Sequence, residues 1–230
     1  MGVIVRSWNL FHGNADPPRR QGHLRAMVEL VSADRPHVLC LQEVPVWALP
    51  RLGAWSGMSA TTAVTRVPLW PGLVSSWVTR AHQGLLRSAI AGQANAILVL
   101  PGPPVEDLGH DRISDRGRER RLVQAVRVGG LGIVANLHAS GGQREVPTAE
   151  LERARVFAEA HARPDEPIVL AGDFNLRRPS LEHYTDGGPG IDHILVRGSK
   201  AAPLIVWPRE RRMQNGVVLS DHPPVEREVG

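Results

Sequence analysis

Six polar residues of types that bind metals or move protons stand at the ends of apolar runs. Ser7-Trp8-Asn9 follows Val3-Ile4-Val5, and Gln42-Glu43 follows Val38-Leu39-Cys40-Leu41. Gly172-Asp173-Phe174-Asn175 follows Ile168-Val169-Leu170-Ala171, and Ser220-Asp221-His222 follows Val217-Val218-Leu219. A short apolar run bounded by turn formers reads as a buried strand. Polar groups at the carboxyl ends of buried strands lie where α/β folds place their chemistry. Asn9, Glu43, Asp173, Asn175, Asp221 and His222 could therefore meet at one mouth, as the parts of a metal-and-base centre.

Each motif has a specific use and an ordinary alternative. A carboxylate ending a buried strand needs a cation or a hydrogen-bonded partner. A hard dication is held by one or two carboxylates plus waters and substrate oxygens, so Glu43 with Asn9 fits a sparse ligand set. The alternative is a surface glutamate after a strand. Asp173 and Asn175 stand two apart, and in extended geometry both face one way. There the carboxylate could take a proton from water while the amide steadies a phosphoryl oxygen. The alternative is an Asx turn. Binuclear metallophosphatases also use Gly-Asp, but they need an aspartate where this chain has Leu176. His222 could act on a phosphate if a carboxylate orients it. Adjacent strand residues point opposite ways, so Asp192, opening Ile191-Asp192-His193-Ile194, is the better partner than Asp221. His138, after Asn136-Leu137, could supply a second imidazole. Taken singly, each histidine is equally at home on a surface or in a core.

These side chains need a scaffold. Strands are expected at Val3–Trp8, His37–Leu41, Ala94–Leu100, Leu122–Val128, Leu131–Leu137, Pro167–Ala171, Ile191–Val196, Pro203–Val206 and Val217–Leu219. Gly129-Gly130 marks a hairpin. Helices are expected over Arg19–Ala33, with Leu24, Met27, Val28 and Val31 on one face, and over Pro147–His161; a short one is possible at Val46–Leu52. Hairpins mixed with β–helix–β units predict two mixed sheets packed face to face with helices outside. At 230 residues, with 42% hydrophobic and 22% charged residues, one soluble domain over 1–230 is expected. No apolar run reaches the roughly 18–20 residues of a membrane span. The first residues read as a strand rather than a signal peptide, so a cytoplasmic monomer is the default expectation. The single cysteine, Cys40, excludes an internal disulfide and reads as core.

The net charge is +4 and Lys200 is the sole lysine. Codon bias explains an arginine excess as well as phosphate recognition does. Val44 to Val105 holds no acidic residue, yet carries Arg51, Arg66, Arg80, Arg87 and Trp47, Trp55, Trp70, Trp77. Interleaved arginine and tryptophan suit a nucleic-acid backbone with unstacked bases or an anionic lipid surface. Tryptophans filling a half-buried region are the plain alternative.

Trp8-Asn9, Leu41-Gln42-Glu43, Gln93-Ala94-Asn95-Ala96-Ile97-Leu98, Asn136-Leu137-His138, Gly172-Asp173-Phe174-Asn175, Ile191-Asp192-His193-Ile194 and Ser220-Asp221-His222, in that order, resemble the endonuclease/exonuclease/phosphatase superfamily with its deoxyribonuclease I-like fold. The resemblance implies a four-layer α/β sandwich and phosphodiester hydrolysis dependent on Mg²⁺ or Mn²⁺. It gives Glu43 the metal, with Asn9 assisting and Asp221 nearby. It gives Asp173 the water, Asn175 the phosphate, and His222, held by Asp192, the phosphoryl oxygens. His138 matches the branch containing pancreatic deoxyribonuclease, sphingomyelinases and inositol-polyphosphate phosphatases. In that branch an acidic residue on an earlier segment holds this imidazole. Val44–Val105 holds no acidic residue here, so that support is missing or comes from elsewhere, with Glu106 or Glu119 as the candidates. Phe11 stands where the exonuclease III-type branch often has aspartate. DNA is the expected substrate, a phospholipid or inositol phosphate the second choice, and an inactive binding module of the same fold the third.

Overall fold

Runs such as Val38-Leu39-Cys40-Leu41 are apolar at odd and even positions alike, so a strand made from them needs cover on both faces. The computed structural model describes residues 2–18, 22–68 and 91–230. In chain order these form β1 (Val3–Asn9), β2 (Ala15–Asp16), α1 (Leu24–Ser32), β3 (Val38–Val44), α2 (Leu52–Ser56), β4 (Ser59–Arg66), β5 (Gln93–Val99), β6 (Val105–Arg112), β7 (Leu122–Val128), β8 (Gly132–His138), α3 (Glu145–His161), β9 (Ile168–Asp173), β10 (Asp192–Arg197), β11 (Ile205–Val206), β12 (Met213–Gln214), β13 (Val217–Leu219) and β14 (Val225–Val229). Trp70, Trp77, Arg80 and Arg87 of the basic, aromatic stretch lie outside the described residues, as does Arg19.

Two mixed sheets carry the fold. One has the order β11-β14-β1-β3-β5-β4 and the other β10-β9-β8-β7-β6. Only β1–β3 and β8–β9 pair in parallel among these neighbours. Val5, Val38, Cys40 and Ile97 of the first sheet meet Val126, Val134, Val169, Ala171 and Ile194 of the second, forming the central core. The alternate positions face outward. Trp8, Leu39, Leu41 and Leu98 pack under Leu24, Met27, Val28 and Val31 of α1. Val123, Ile133, Leu137, Ile168 and Leu170 pack under Leu151, Ala154 and Ala158 of α3. The result is the expected helix–sheet–sheet–helix sandwich. Cys40 lies in the central core, where burial raises its thiol pKa.

Several boundaries and elements differ from expectation. The helix expected from Arg19 begins at Leu24. The segment Val46–Arg51 is a 3-10 turn that leads into α2; Pro50 lies within it and has no N–H to extend an α-helical ladder. β13 joins neither large sheet. It pairs with β2 and β12 in a small third sheet. β4 and β6 were not expected because neither is rich in apolar residues, as in Ser59-Ala60-Thr61-Thr62 and Glu106-Asp107. Both are edge strands, which need less cover than central ones. β14 pairs antiparallel with β1. Among the described residues no helix is long and apolar enough to cross a membrane.

Candidate active site

The two-residue period of strands explains how the site assembles. Val5, Ser7 and Asn9 share the inner face of β1. Val134, Asn136 and His138 share that of β8, Val169, Ala171 and Asp173 that of β9, and Asp192, Ile194 and Val196 that of β10. Along each strand the inner face is apolar in the middle and polar at one end. Antiparallel pairing brings the amino ends of β5 and β10 to the carboxyl ends of β1, β3, β8 and β9. All the polar ends therefore meet at one rim. Beneath them Gln42 Nε2 donates to Ser7 Oγ (3.1 Å) and, across the sandwich, to Asn136 Oδ1 (2.7 Å). Asn136 Nδ2 donates to the carbonyls of Leu41 and Ala96, both at 3.0 Å. This polar layer ties the two sheets together directly under the site.

Glu43 breaks the parity. Counting from Cys40, its side chain should face the α1 layer. A register shift between Leu41 and Val44 and a φ of +53° at Glu43 turn it to the rim instead. There Asn9 Nδ2 donates to Glu43 Oε1 (3.3 Å) and to Asp173 Oδ2 (3.0 Å).

Asp173 is 1% exposed. Its extended neighbourhood ends at once, because Asn175 has a φ of +48°. The expectation that both side chains share one face of an extended segment is therefore corrected. An Asx turn positions them, with Asn175 N–H donating to Asp173 Oδ1 (3.0 Å) and Asn175 Nδ2 to the carbonyl of Ala139 (2.8 Å). Burial, then the charge of Asp192, raises Asp173 to about 7, against the opposing pull of His222, Asn9 and Asn175.

The two imidazoles differ in charge. Burial depresses His222, but the hydrogen bond and charge of Asp192, with Asp173 and Asp221 adding, outweigh it and carry the pKa to about 10. His222 Nδ1–H donates to Asp192 Oδ2 at 2.9 Å, leaving Nε2 3.8 Å from Asp173 Oδ2. Asp221 is half exposed and reaches only Nε2, at 3.9 Å. The backbone of this segment is fixed by Ser220, whose Oγ donates to the carbonyl of Asn9 (2.7 Å), and by Trp8 Nε1, which donates to that of His222 (2.8 Å).

His138 is held neutral. Burial first, then Arg121, His222 and His12, push its pKa well below the usual histidine value. Its Nδ1 faces two donors, Gln93 Nε2 (3.3 Å) and Arg121 Nη1 (2.9 Å). Arg121 Nη1 also lies 3.1 Å from Nε2, and Nε2 is 3.4 Å from Asp173 Oδ2. Of the two candidates for supporting this imidazole, Glu119 reaches it only through Arg121 and Glu106 pairs elsewhere. Glu106 pairs with Arg127, and Glu119 holds Arg121 (3.1 Å), which in turn touches His138. The Gln93 and Arg121 roles were missed, as was His12, whose Nε2 lies 3.3 Å from Glu43 Oε2. Gln93 opens a recognised motif and so gave a signal; Arg121, in an arginine-rich loop, gave none.

Two groups of donors could hold a cation. Ligand atoms of Asp173, Asp192 and His222 lie within 4.8 Å of one another. There, however, both Asp192 oxygens are already taken up with His222 Nδ1, at 2.9 and 3.1 Å. At Glu43, Oε1 accepts only a 3.3 Å hydrogen bond from Asn9 Nδ2, and Asn9 Oδ1, which accepts the Phe11 N–H (3.0 Å), keeps a second lone pair. Carboxylate, amide and imidazole donors together fit a divalent metal.

A search of curated proteins returned no match. Among solved structures, an endonuclease/exonuclease/phosphatase from Beutenbergia cavernae is similar over 99% of this chain and 71% of its own, at 20% identity and a TM-score of 0.68. TDP2 from Caenorhabditis elegans is similar over 100% and 74%, at 17% identity and 0.65. A mannosyl-6-phosphatase from Bacteroides thetaiotaomicron is similar over 99% of both chains, at 16% identity and 0.66. At such identities they speak for the fold. The family model described as Endonuclease/Exonuclease/phosphatase family matches residues 7–222, a span that runs from Ser7 through Asn9, Glu43, His138, Asp173, Asp192 and His222. The chain therefore belongs to the endonuclease/exonuclease/phosphatase family, a superfamily of phosphoesterases and nucleases.

Proposed function

We propose that this chain is an Mg²⁺- or Mn²⁺-dependent phosphodiesterase acting on DNA. The observation that carries the proposal is the buried Asp173 carboxylate, with a pKa of about 7, set between the neutral His138 and the charged His222. Two groups driven to opposite protonation states divide the labour of base and acid. Asp173 accepts the proton of the attacking water. The new P–O bond forms as the bond to the leaving oxygen breaks. His222, kept protonated by Asp192, gives a proton to that oxygen. Neutral His138 and Asn175 donate hydrogen bonds to the phosphoryl oxygens. A dication held at Glu43 with Asn9, and with Asp221 close by, would supply neutralisation of phosphoryl charge.

Support for a polyanionic substrate comes from the loop between β6 and β7. It carries exposed Arg116, Arg118 and Arg120 beside Arg121, which touches His138. Such a run suits consecutive backbone phosphates. Of the tryptophans expected to stack on bases, Trp47 and Trp55 meet edge to face at 6.3 Å and pack against the α1 layer, so they give less support.

A second reading, a phospholipid or inositol phosphate, draws on a cleft of about 320 Å³ beside Asp192 and His222. Leu204, Val206, Pro223 and Val225 give it an apolar wall, which suits a lipid next to its phosphate. The deciding experiment is a panel of plasmid DNA, single-stranded DNA, RNA, sphingomyelin and inositol phosphates, with Mg²⁺, with Mn²⁺ and with chelator. Plasmid nicking that chelator abolishes is the expected result. Turnover confined to lipids or inositol phosphates would replace DNA with the second reading. No turnover on any arm would leave a binding module of the same fold.

A further inference from the structure

The turn after β1 is built against ordinary backbone preference. Phe11, His12 and Gly13 take φ values of +45°, +52° and +82° in succession. Residues with side chains rarely hold this region, and where they do the surrounding structure must compel it. Here the compulsion is visible. Leu10 N–H donates to the carbonyl of Gln42 (3.0 Å), Gly13 N–H to that of Leu10 (2.7 Å) and Asn14 N–H to that of Phe11 (2.9 Å). Phe11 N–H donates to Asn9 Oδ1 (3.0 Å). Gly13 cannot carry a side chain, since a Cβ would lie 2.8 Å from that of Leu24. The turn therefore curls over the end of β3 and delivers one side chain, that of His12, to the rim.

His12 is 7% exposed and its Nε2 lies 3.3 Å from Glu43 Oε2. Metal bonds to imidazole nitrogen and carboxylate oxygen are roughly 2.0–2.2 Å, so two ligands of one ion stand roughly 3.0–3.4 Å apart. The observed spacing is that of two neighbouring ligands. Glu43 Oε1 faces Asn9, while Oε2 faces His12, so the two sides of the carboxylate have different partners. We propose that His12 Nε2 and Glu43 Oε2 are joint ligands of the divalent cation, and that this centre therefore selects a first-row transition-metal ion such as Mn²⁺ over Mg²⁺. Mg²⁺ prefers oxygen ligands and keeps its waters, whereas an imidazole nitrogen favours the transition metals. The inference rests on the reading of Glu43 as a metal ligand and adds a nitrogen to the donor set.

The test uses the full chain, Mn²⁺ and Mg²⁺, with H12N and E43Q variants. Asparagine tolerates positive φ, so H12N keeps the turn, and unchanged circular dichroism and melting verify that. Mn²⁺ binding is followed by electron paramagnetic resonance, with spin-echo detection of ¹⁴N coupling to the bound ion. Wild type is expected to bind one Mn²⁺, with ¹⁴N coupling, roughly tenfold or more tightly than Mg²⁺. H12N is expected to lose the His12 contribution to that coupling and to weaken Mn²⁺ by about tenfold or more while affecting Mg²⁺ less. If E43Q abolishes Mn²⁺ binding but H12N leaves the ¹⁴N coupling unchanged, the His12 assignment is overturned while the Glu43 centre stands. Weaker Mn²⁺ binding in H12N with unchanged coupling also overturns it, making His12 a positioning residue for Glu43. Mn²⁺ binding that is indifferent to E43Q would overturn the metal centre at Glu43 and this inference with it.

Discussion

Asp173 and His222 are both pushed upward from their ordinary pKa values, and the consequences have opposite uses. For Asp173, the raised value means that folding favours the protonated acid, and that relative stability is lost as pH climbs from 3.8 to about 7. At neutral pH the carboxylate is a burden on the fold. D173N is therefore expected to melt at or above the wild-type temperature in the metal-free protein while losing about 10²–10⁴-fold in turnover. Calorimetry and a phosphodiester assay on the same sample check both halves. His222 works the other way. Its contribution is fully present below its ordinary value of 6.5 and is lost as pH rises to about 10. D192N removes the hydrogen bond that raises it. In metal-free protein the His222 imidazole proton signal should titrate near 10 in wild type and at clearly lower pH in D192N. The stability gap between the two proteins should be widest near about pH 6 and narrow by about pH 9, as urea titrations at both values would reveal.

Among the elements, β9 is tightly constrained at the end that carries Asp173. Gly172 sits one residue before Asp173 with a φ of +144°, and a Cβ there would lie 1.9 Å from the carbonyl oxygen of Leu137 on β8. Only glycine lets the two parallel strands stay in register up to His138 and Asp173, which pair directly. G172A should force β8 and β9 apart. We expect a loss of at least about 3 kcal/mol in urea denaturation. Activity should fall in whatever fraction remains folded, because the His138–Asp173 contact moves with the strands. The bulge in β3 is the counterpart on the other sheet, since it brings Glu43 to the rim against the strand period.

For the whole molecule, the site lies at the rim where the polar ends of both sheets meet. Neither sheet completes it: Asn9 and Glu43 come from one, His138, Asp173 and Asp192 from the other, and His222 from the segment after the small third sheet. A cation bound there links groups from separate elements, so it should stabilise the folded chain by mass action. Adding Mn²⁺ should raise the melting temperature of wild type in a concentration-dependent way, chelator should reverse the rise, and E43Q should show little or none. A metal effect that survives E43Q would place the stabilising ion elsewhere. The cross-sheet bond from Gln42 to Asn136 makes a related prediction. N136A removes that acceptor from Gln42 and the side-chain donor to two buried carbonyls, and should cost about 1–3 kcal/mol in urea denaturation.

Much of this was legible in the chain. Local runs such as Val3-Ile4-Val5 and Ile168-Val169-Leu170-Ala171 announce strands, because burial on both faces leaves an unbroken apolar signature. Period-two parity carries Asn9, His138, Asp173 and Asp192 inward without reference to anything distant. The choice of Asp192 over Asp221 beside His222 rested on the same alternation. What the chain did not disclose depends on contacts between residues far apart in sequence. The bulge at Glu43 and the Asx turn at Asn175 are departures from regular geometry, so a periodic pattern cannot contain them. Gln93, Arg121 and His12 reach the site through pairing and turn closure, which bring together side chains with no shared local signal. The edge strands β4 and β6 are polar because one side of each needs no partner. Residue types and alternation set which groups could react; the packing of two sheets set which of them touch, and with what charge.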